Sequence, residues 1–238
     1  MVHYNKIKEK YPDCVVFYRL GDFYEMFFDD AVRVSKMLDL TLTGRDCGLD
    51  EKAPMCGIPY HAADEYISKL VGQGEKVAIC EQLEDPSQAK GLVERDVIKI
   101  VTAGTVTEES LIDEKENNFI ACAYYGEKGS ALSWCDITTG EFYAKKCETA
   151  DVLNELSDNL TRINPSEIIC NEKLAAVSDD LPVVKHRVIP RPRKYADDNF
   201  LFRNAEIALK EQFGVISFKA FGIDENDVVL ITASGALI

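Results

Sequence analysis

The sequence has no apolar run approaching the roughly twenty residues that a membrane-spanning helix needs, so no membrane partner is expected. Its first stretch, MVHYNKIKEKYP, lacks the hydrophobic segment of a secretion signal. Only three His are present, and none of the eight Cys stands in a C-x-x-C pair, which excludes the usual zinc spacings. Several Cys instead sit in apolar strand-like runs, such as Val77-Ala78-Ile79-Cys80 and Glu167-Ile168-Ile169-Cys170. Buried reduced thiols in a cytoplasmic protein account for that placement. There is no G-x-x-x-x-G-K-[ST], no Gly-rich dinucleotide loop and no G-x-S-x-G, so no recognised motif binds a nucleotide or performs acyl transfer.

A surplus of basic charge is also missing. The net charge is −14. Residues 1–102 carry 13 basic against 18 acidic side chains, and residues 103–238 carry 14 against 23. Phosphate binding ordinarily needs a basic surface, so any contact with nucleic acid must rest on a small local patch or on regions outside this chain.

What is present is enough for two ordinary folded domains: 238 residues, of which 46% are hydrophobic. Residues 3–10 read as a short helix ended by Pro12, and residues 14–20 as a strand built on Val15, Val16, Phe17 and Tyr18. Gly21 allows a turn. Asp22 and Glu25 then have the spacing of a capping box, and Phe27, Ala31, Val34 and Leu38 fall on one helical stripe. A short strand at 40–43 leads to Gly44-Arg45, followed by a polar loop at 46–53. Residues 54–59 form a constrained apolar segment in which Pro59 argues against a central strand. A helix at 61–71, a strand at 76–83, a break at Asp85-Pro86, a loop carrying Lys90 and a strand at 95–102 complete a mixed α/β domain over residues 1–102.

Residues 103–118 are polar and acidic and read as a linker. Three strands at 119–125, 130–138 and 141–146, joined by Gly-containing turns, form an antiparallel meander. A helix at 150–161, a strand at 166–170, a short helix at 172–177, a strand at 183–188, a basic loop at 191–194 and a helix at 197–212 ending at Gly214 follow. Residues 226–238 are helical in pattern and lack a capping signal, as expected of a segment taken from a longer protein. Three antiparallel strands followed by alternating helices and strands give residues 119–238 the order of a ribonuclease-H-like α/β fold.

The corner at Gly21-Asp22-Phe23-Tyr24-Glu25 has two readings. In a regular helix from Asp22, Phe23 extends the core stripe and Glu25 caps the helix. In an extended segment Phe23 and Glu25 share one face, because residues two apart on a strand point the same way. An exposed ring there can wedge between bases, and a carboxylate beside it can take a hydrogen bond from a base edge. The acids Asp22, Glu25, Asp29 and Asp30 read more simply as a solvated helix face than as a metal site. Asp136, on a strand of the second domain, is placed where a metal-dependent nuclease carries an acid, but Glu141 and Glu167 are not at diagnostic spacing with it. A structural turn acid before Thr138-Thr139-Gly140 is the simpler reading. Arg45, Lys69, Lys76, Lys90, Arg95 and Lys99 are scattered through the first domain, and Arg191, Arg193 and Lys194 form a denser basic loop in the second.

The run Phe17-Tyr18-Arg19-Leu20-Gly21-Asp22-Phe23-Tyr24-Glu25-Met26-Phe27 resembles the mismatch-recognition motif of the MutS family. So do residues 55–62 (MCGIPYHA), 78–82 (AICEQ), 93–95 (VER) and 136–140 (DITTG). The resemblance implies a mismatch-recognition domain over 1–102 and a connector domain of ribonuclease-H-like fold without nuclease activity over 119–238. It further implies that Phe23 stacks on a mispaired base and Glu25 hydrogen-bonds it. Arg45, Met55, Pro59 and His61 would lie along the DNA backbone or groove. The implied partners are mismatched duplex DNA, the downstream protein MutL, and a second copy in a homodimer of the full-length protein. ATP and Mg2+ belong to later domains of the family, so no cofactor and no catalysis are expected of this chain, and the implied location is cytoplasmic. Two positions depart from the family pattern: Cys56, where many relatives have Ala, and Ala103, where Pro is common.

Overall fold

Val15, Val16 and Phe17 are fully buried, so the strand that carries them needs cover on both faces and a neighbour on each side. The computed structural model supplies both. It describes residues 1–48, 51–83, 93–106, 117–185 and 189–238. The chain divides into two units, Met1–Asp113 and Glu114–Ile238.

The first unit begins with helix α1 (Val2–Lys10) and strand β1 (Cys14–Leu20), continues through β2 (Phe23–Phe27), helix α2 (Phe28–Met37), β3 (Thr43–Arg45) and β4 (Ala53–Pro59), and ends with helix α3 (Ala63–Gly72), β5 (Lys76–Gln82) and β6 (Arg95–Val101). The six strands form one sheet in the order β3-β4-β2-β1-β5-β6. Only β1 and β5 pair in parallel; the other neighbours are antiparallel. On one face Val15, Phe17, Tyr24, Met26, Cys56 and Ile58 pack under α2 and α3. On the other, Val16, Tyr18, Phe27 and Cys80 pack under Tyr4 and Ile7 of α1. A single buried carboxylate joins three elements. Asp30 on α2 accepts from the Tyr4 hydroxyl at 3.3 Å, from Lys8 Nζ at 2.9 Å and from the Val16 amide at 3.2 Å.

Two expectations fail here. The helix does not start at Asp22. Residues 23–27 are a strand, paired to β4 throughout and to β1 over residues 23–25, and the helix begins only at Phe28. Asp22 and Glu25 therefore form no capping box. Phe27, read as the start of the helical stripe, is a strand residue buried against α1, whereas Ala31 and Val34 do face the helix-side core. Pro59 likewise does not keep its segment out of the sheet interior. Ala53–Pro59 lies between β3 and β2, and Pro59 is its last residue, where a missing N–H costs no ladder bond. Residues 103–106 of the expected linker include Ala103 and Val106, both packed into the first core; residues 107–116 lie outside the described residues, as do Asp85-Pro86 and Lys90.

The second unit opens with the meander β7 (Phe119–Gly126), β8 (Gly129–Asp136) and β9 (Glu141–Lys146). Helix α4 (Val152–Ile163) leads to β10 (Glu167–Cys170), which pairs in parallel with β7. Two short helices, α5 (Glu172–Val177) and α6 (Pro182–Lys185), precede the two-residue strand β11 (Arg193–Lys194). Helices α7 (Phe202–Phe213) and α8 (Val228–Gly235) complete it. The order β11-β10-β7-β8-β9 is that of a ribonuclease-H-like sheet. Leu156 and Leu160 of α4 cover one face, and Val229 and Ala233 of α8 pack on the other. The strand expected at 183–188 is instead helical at Pro182–Lys185, because Pro182 takes the first helical position, where its ring and missing N–H are tolerated; residues 186–188 lie outside the described residues. Within the basic loop expected at 191–194, Arg193–Lys194 pairs with β10. The helix expected over 197–212 is a single 3-10 turn, Asp197–Phe200, followed by α7. Among the described residues no helix is long and apolar enough to cross a membrane.

Helix α8 crosses α7 so closely that a β-carbon on Gly235 would lie 2.3 Å from the Ala205 carbonyl oxygen. Gly235→Ala is therefore expected to destabilise the second unit by roughly 1–3 kcal/mol through overpacking. Urea unfolding would show this as a lower midpoint, and an unchanged midpoint would contradict the close approach.

Candidate nucleic-acid interface

The rim of the first sheet is built by one hairpin. Leu20 and Phe23 pair across a two-residue turn, Gly21-Asp22, in which Gly21 takes a left-handed backbone (φ 60°) that a side chain would strain. Beyond the turn the strand period of two takes over. Tyr24 and Met26 point into the helix-side core, and Phe23 and Glu25 fall on the opposite face. Phe23 is 47% exposed. It lies opposite Pro59, and Glu25 lies opposite Gly57. The exposed reading of the corner is thus the one the fold adopts.

Glu25 is not a bare carboxylate. Its Oε2 accepts a hydrogen bond from Nη1 of Arg45, which reaches it from β3. The fold therefore brings together Phe23, Glu25, Arg45 and Pro59. Met55 is half-buried and packs against the cluster under α1. His61 is exposed in the 3-10 turn Tyr60–Ala62, its ring edge-on to Tyr60 at 5.7 Å.

A second group braces the hairpin from the other face, and sequence reasoning passed over it. Arg19 Nε donates to the Gly21 carbonyl at 2.5 Å, its Nη1 to Glu81 at 3.3 Å, and its guanidinium lies 3.7 Å from the Tyr60 ring centre. The Tyr24 hydroxyl also donates to Glu81. Burial, and then this bond to a carboxylate, push the Tyr24 hydroxyl above its ordinary range. The Tyr60 amide donates to the Asp22 carbonyl at 3.0 Å, tying the turn to the end of β4. The available signal was an arginine inside an otherwise apolar strand, which demands a partner.

Several other candidates, among the described residues, are engaged within the fold. Lys69 pairs with Glu65 and Lys76 with Asp13; Arg95 donates to the carbonyls of Arg19 and Val93. Arg191 pairs with Asp179, and Lys194 with Glu172 and Asp197. Glu25 and Asp30 go to separate partners, and among the described residues no three His, Cys, Asp or Glu converge as a metal site. Asp136 is buried and saturated by donors: the Asn118 amide at 3.0 Å, the Thr138 amide at 2.9 Å and the Thr138 hydroxyl at 2.6 Å. All eight cysteines are free. Burial pushes the thiols of Cys56 and Cys80 up to about 11 and about 12, so neither is a ready nucleophile.

Fold and rim together define a class: a two-unit α/β chain whose first unit presents an aromatic and an acid from a hairpin and whose second is ribonuclease-H-like. Comparison with known sequences narrows it. The family model described as MutS domain I matches residues 1–110, and that described as MutS domain II matches residues 118–238. The chain is 46% identical to the DNA mismatch repair protein MutS of Ruminiclostridium cellulolyticum and 46% identical to that of Acetivibrio thermocellus, in each case over its whole length and 27% of the relative. It is 44% identical to the MutS of Lachnoclostridium phytofermentans, over its whole length and 25% of that protein. The chain belongs to the MutS family, and it spans about a quarter of the length of the curated relatives it matches.

Burial alone would raise the Asp136 carboxyl, but the hydrogen bonds from Thr138, Asn118 and Thr139 outweigh it and hold the group below its ordinary 3.8. A depressed acid stabilises the fold above that value, and the contribution disappears as pH falls through the lowered one. Asp136→Asn is accordingly expected to cost about 1–3 kcal/mol at pH 7. The deficit against wild type should shrink below pH 3.8, measured by denaturant unfolding across the acid range. A deficit independent of pH would contradict the assignment.

Proposed function

We propose that the first unit reads mismatched or unpaired bases in duplex DNA, with Phe23 as a wedge entering from the minor groove and Glu25 as the acceptor for a base edge. The observation that carries this reading is the exposure of Phe23 on a strand paired along both edges, with a carboxylate on the same face two residues on. The relatives' description as DNA mismatch repair proteins supports it. A buried Phe23 would have favoured a protein-interaction scaffold instead, and the saturated Asp136 gives a nuclease reading nothing to build on.

The physical basis is selection by deformability. A base step that has lost its pairing unstacks and bends at lower cost than an intact one. Stacking of a ring on a base contributes roughly 1–3 kcal/mol, enough to choose among steps but not to hold DNA. With a net charge of −14, this chain has no general attraction for phosphate. The affinity is assigned to the remaining three quarters of a full-length MutS protein, which would dimerise, clamp the duplex and use ATP and Mg2+. In this reading the chain itself performs no catalysis, the second unit is the connector that communicates with MutL, and the protein works in the cytoplasm.

Two measurements test the proposal. In the full-length protein, Phe23→Ala should remove preference for mismatched over matched duplex while leaving the fold intact by circular dichroism; equal preference in mutant and wild type would sink the site. The isolated chain should bind DNA weakly or undetectably at physiological salt. Tight mismatch binding by the monomeric chain in a fluorescence-anisotropy titration would show that the affinity has been misplaced.

A further inference from the structure

The hydrogen bond from Arg45 to Glu25 changes what Arg45 is for. We infer that Arg45 acts on recognition through Glu25, as a positioning residue, and not chiefly as a contact to the DNA backbone. The inference rests on the reading of Phe23 and Glu25 as the base-contacting pair.

A glutamate is a poor discriminating acceptor by itself. Its side chain has several rotamers, and its charge faces the phosphates of any duplex that approaches. Both problems are met by the rim. The Glu25 side chain is only 15% exposed, although Phe23 two residues away stands well out. Arg45 binds Oε2, and among the described residues no other hydrogen bond reaches the carboxylate, so Oε1 keeps its acceptor capacity for a base. The positive charge of Arg45 offsets the negative charge of Glu25, so the pair presents little net charge to the duplex.

Gly57 lies opposite Glu25 on the neighbouring strand. A β-carbon there would lie 3.3 Å from the Tyr24 carbonyl oxygen, 3.5 Å from Glu25 Cγ and 3.9 Å from Phe23 Cδ1. Only the approach to the Tyr24 carbonyl is tight; those to Glu25 and Phe23 are ordinary van der Waals distances. The Arg45 side chain is 42% exposed and belongs to no buried cluster, so substituting it disturbs no core packing. A lysine would keep the charge but lose the fixed donor geometry of the planar guanidinium.

The test uses the full-length protein and equilibrium binding to mismatched and matched duplexes of equal length, at two salt concentrations. Arg45→Gln should lower the mismatch-to-matched affinity ratio about three- to tenfold, beyond any loss common to both duplexes, and Arg45→Lys should recover part of that ratio. In a Glu25→Gln background the same Arg45→Gln change should alter the ratio by less than about twofold, because the residue through which it acts is gone. Equal losses on both duplexes with a salt slope reduced by about one would identify a phosphate contact and overturn the inference. Independent, multiplying effects of the two substitutions would overturn it too. Discrimination that survives Phe23→Ala would instead strike the base-reading proposal, whatever Arg45 does.

Discussion

The pairing of residues 23–25 on both edges at once governs the first unit. A segment hydrogen-bonded to β1 on one side and β4 on the other has no freedom to wind into a helix, and its side chains must alternate. Tyr24 and Met26 are drawn into the core, and that burial holds Phe23 and Glu25 on the far face. Presentation of an aromatic from a paired strand also matters energetically. The backbone is ordered before any ligand arrives, so binding forfeits little conformational entropy.

Much of this architecture was legible in the residues. The run Val15-Val16-Phe17-Tyr18 marked a strand, Gly turns marked the meander of β7 to β9, and Gly214 marked the end of α7, where it takes a left-handed conformation (φ 62°). The corner at Asp22 was not legible, for a physical reason. D-x-x-E spacing and an i, i+4 apolar stripe satisfy local rules for a helix, while the strand depends on β4, some thirty residues later, which local patterning does not see. Val184 misled in the same way: its β-branched character marked a strand, and it lies in the helical turn Pro182–Lys185. The resemblance carried Phe23 and Glu25, but the bond from Arg45 and the bracing by Arg19, Glu81 and Tyr60 join positions far apart in the chain and became visible only in the fold.

The excess of acid has a structural use. Asp30 ties α1, β1 and α2 together by accepting from a hydroxyl, an ammonium and an amide, and Asp136 organises the turn after β8 in a similar way. Each is enclosed by donors, as a buried charge must be. Glu81 does the same for the hairpin. These three carboxylates serve as internal fasteners, and among the described residues no acidic centre converges.

The two-residue turn at Gly21-Asp22 acts as a gauge of length. Phe23 and Tyr24 face opposite sides of the sheet only because the hairpin closes with Leu20 against Phe23. One residue added or removed there would slip the register by a single step and exchange the roles of the two rings, burying the first and exposing the second. The length of this hairpin should therefore be held as tightly as Gly21 and Phe23 themselves, and insertions and deletions should be rare among functional descendants.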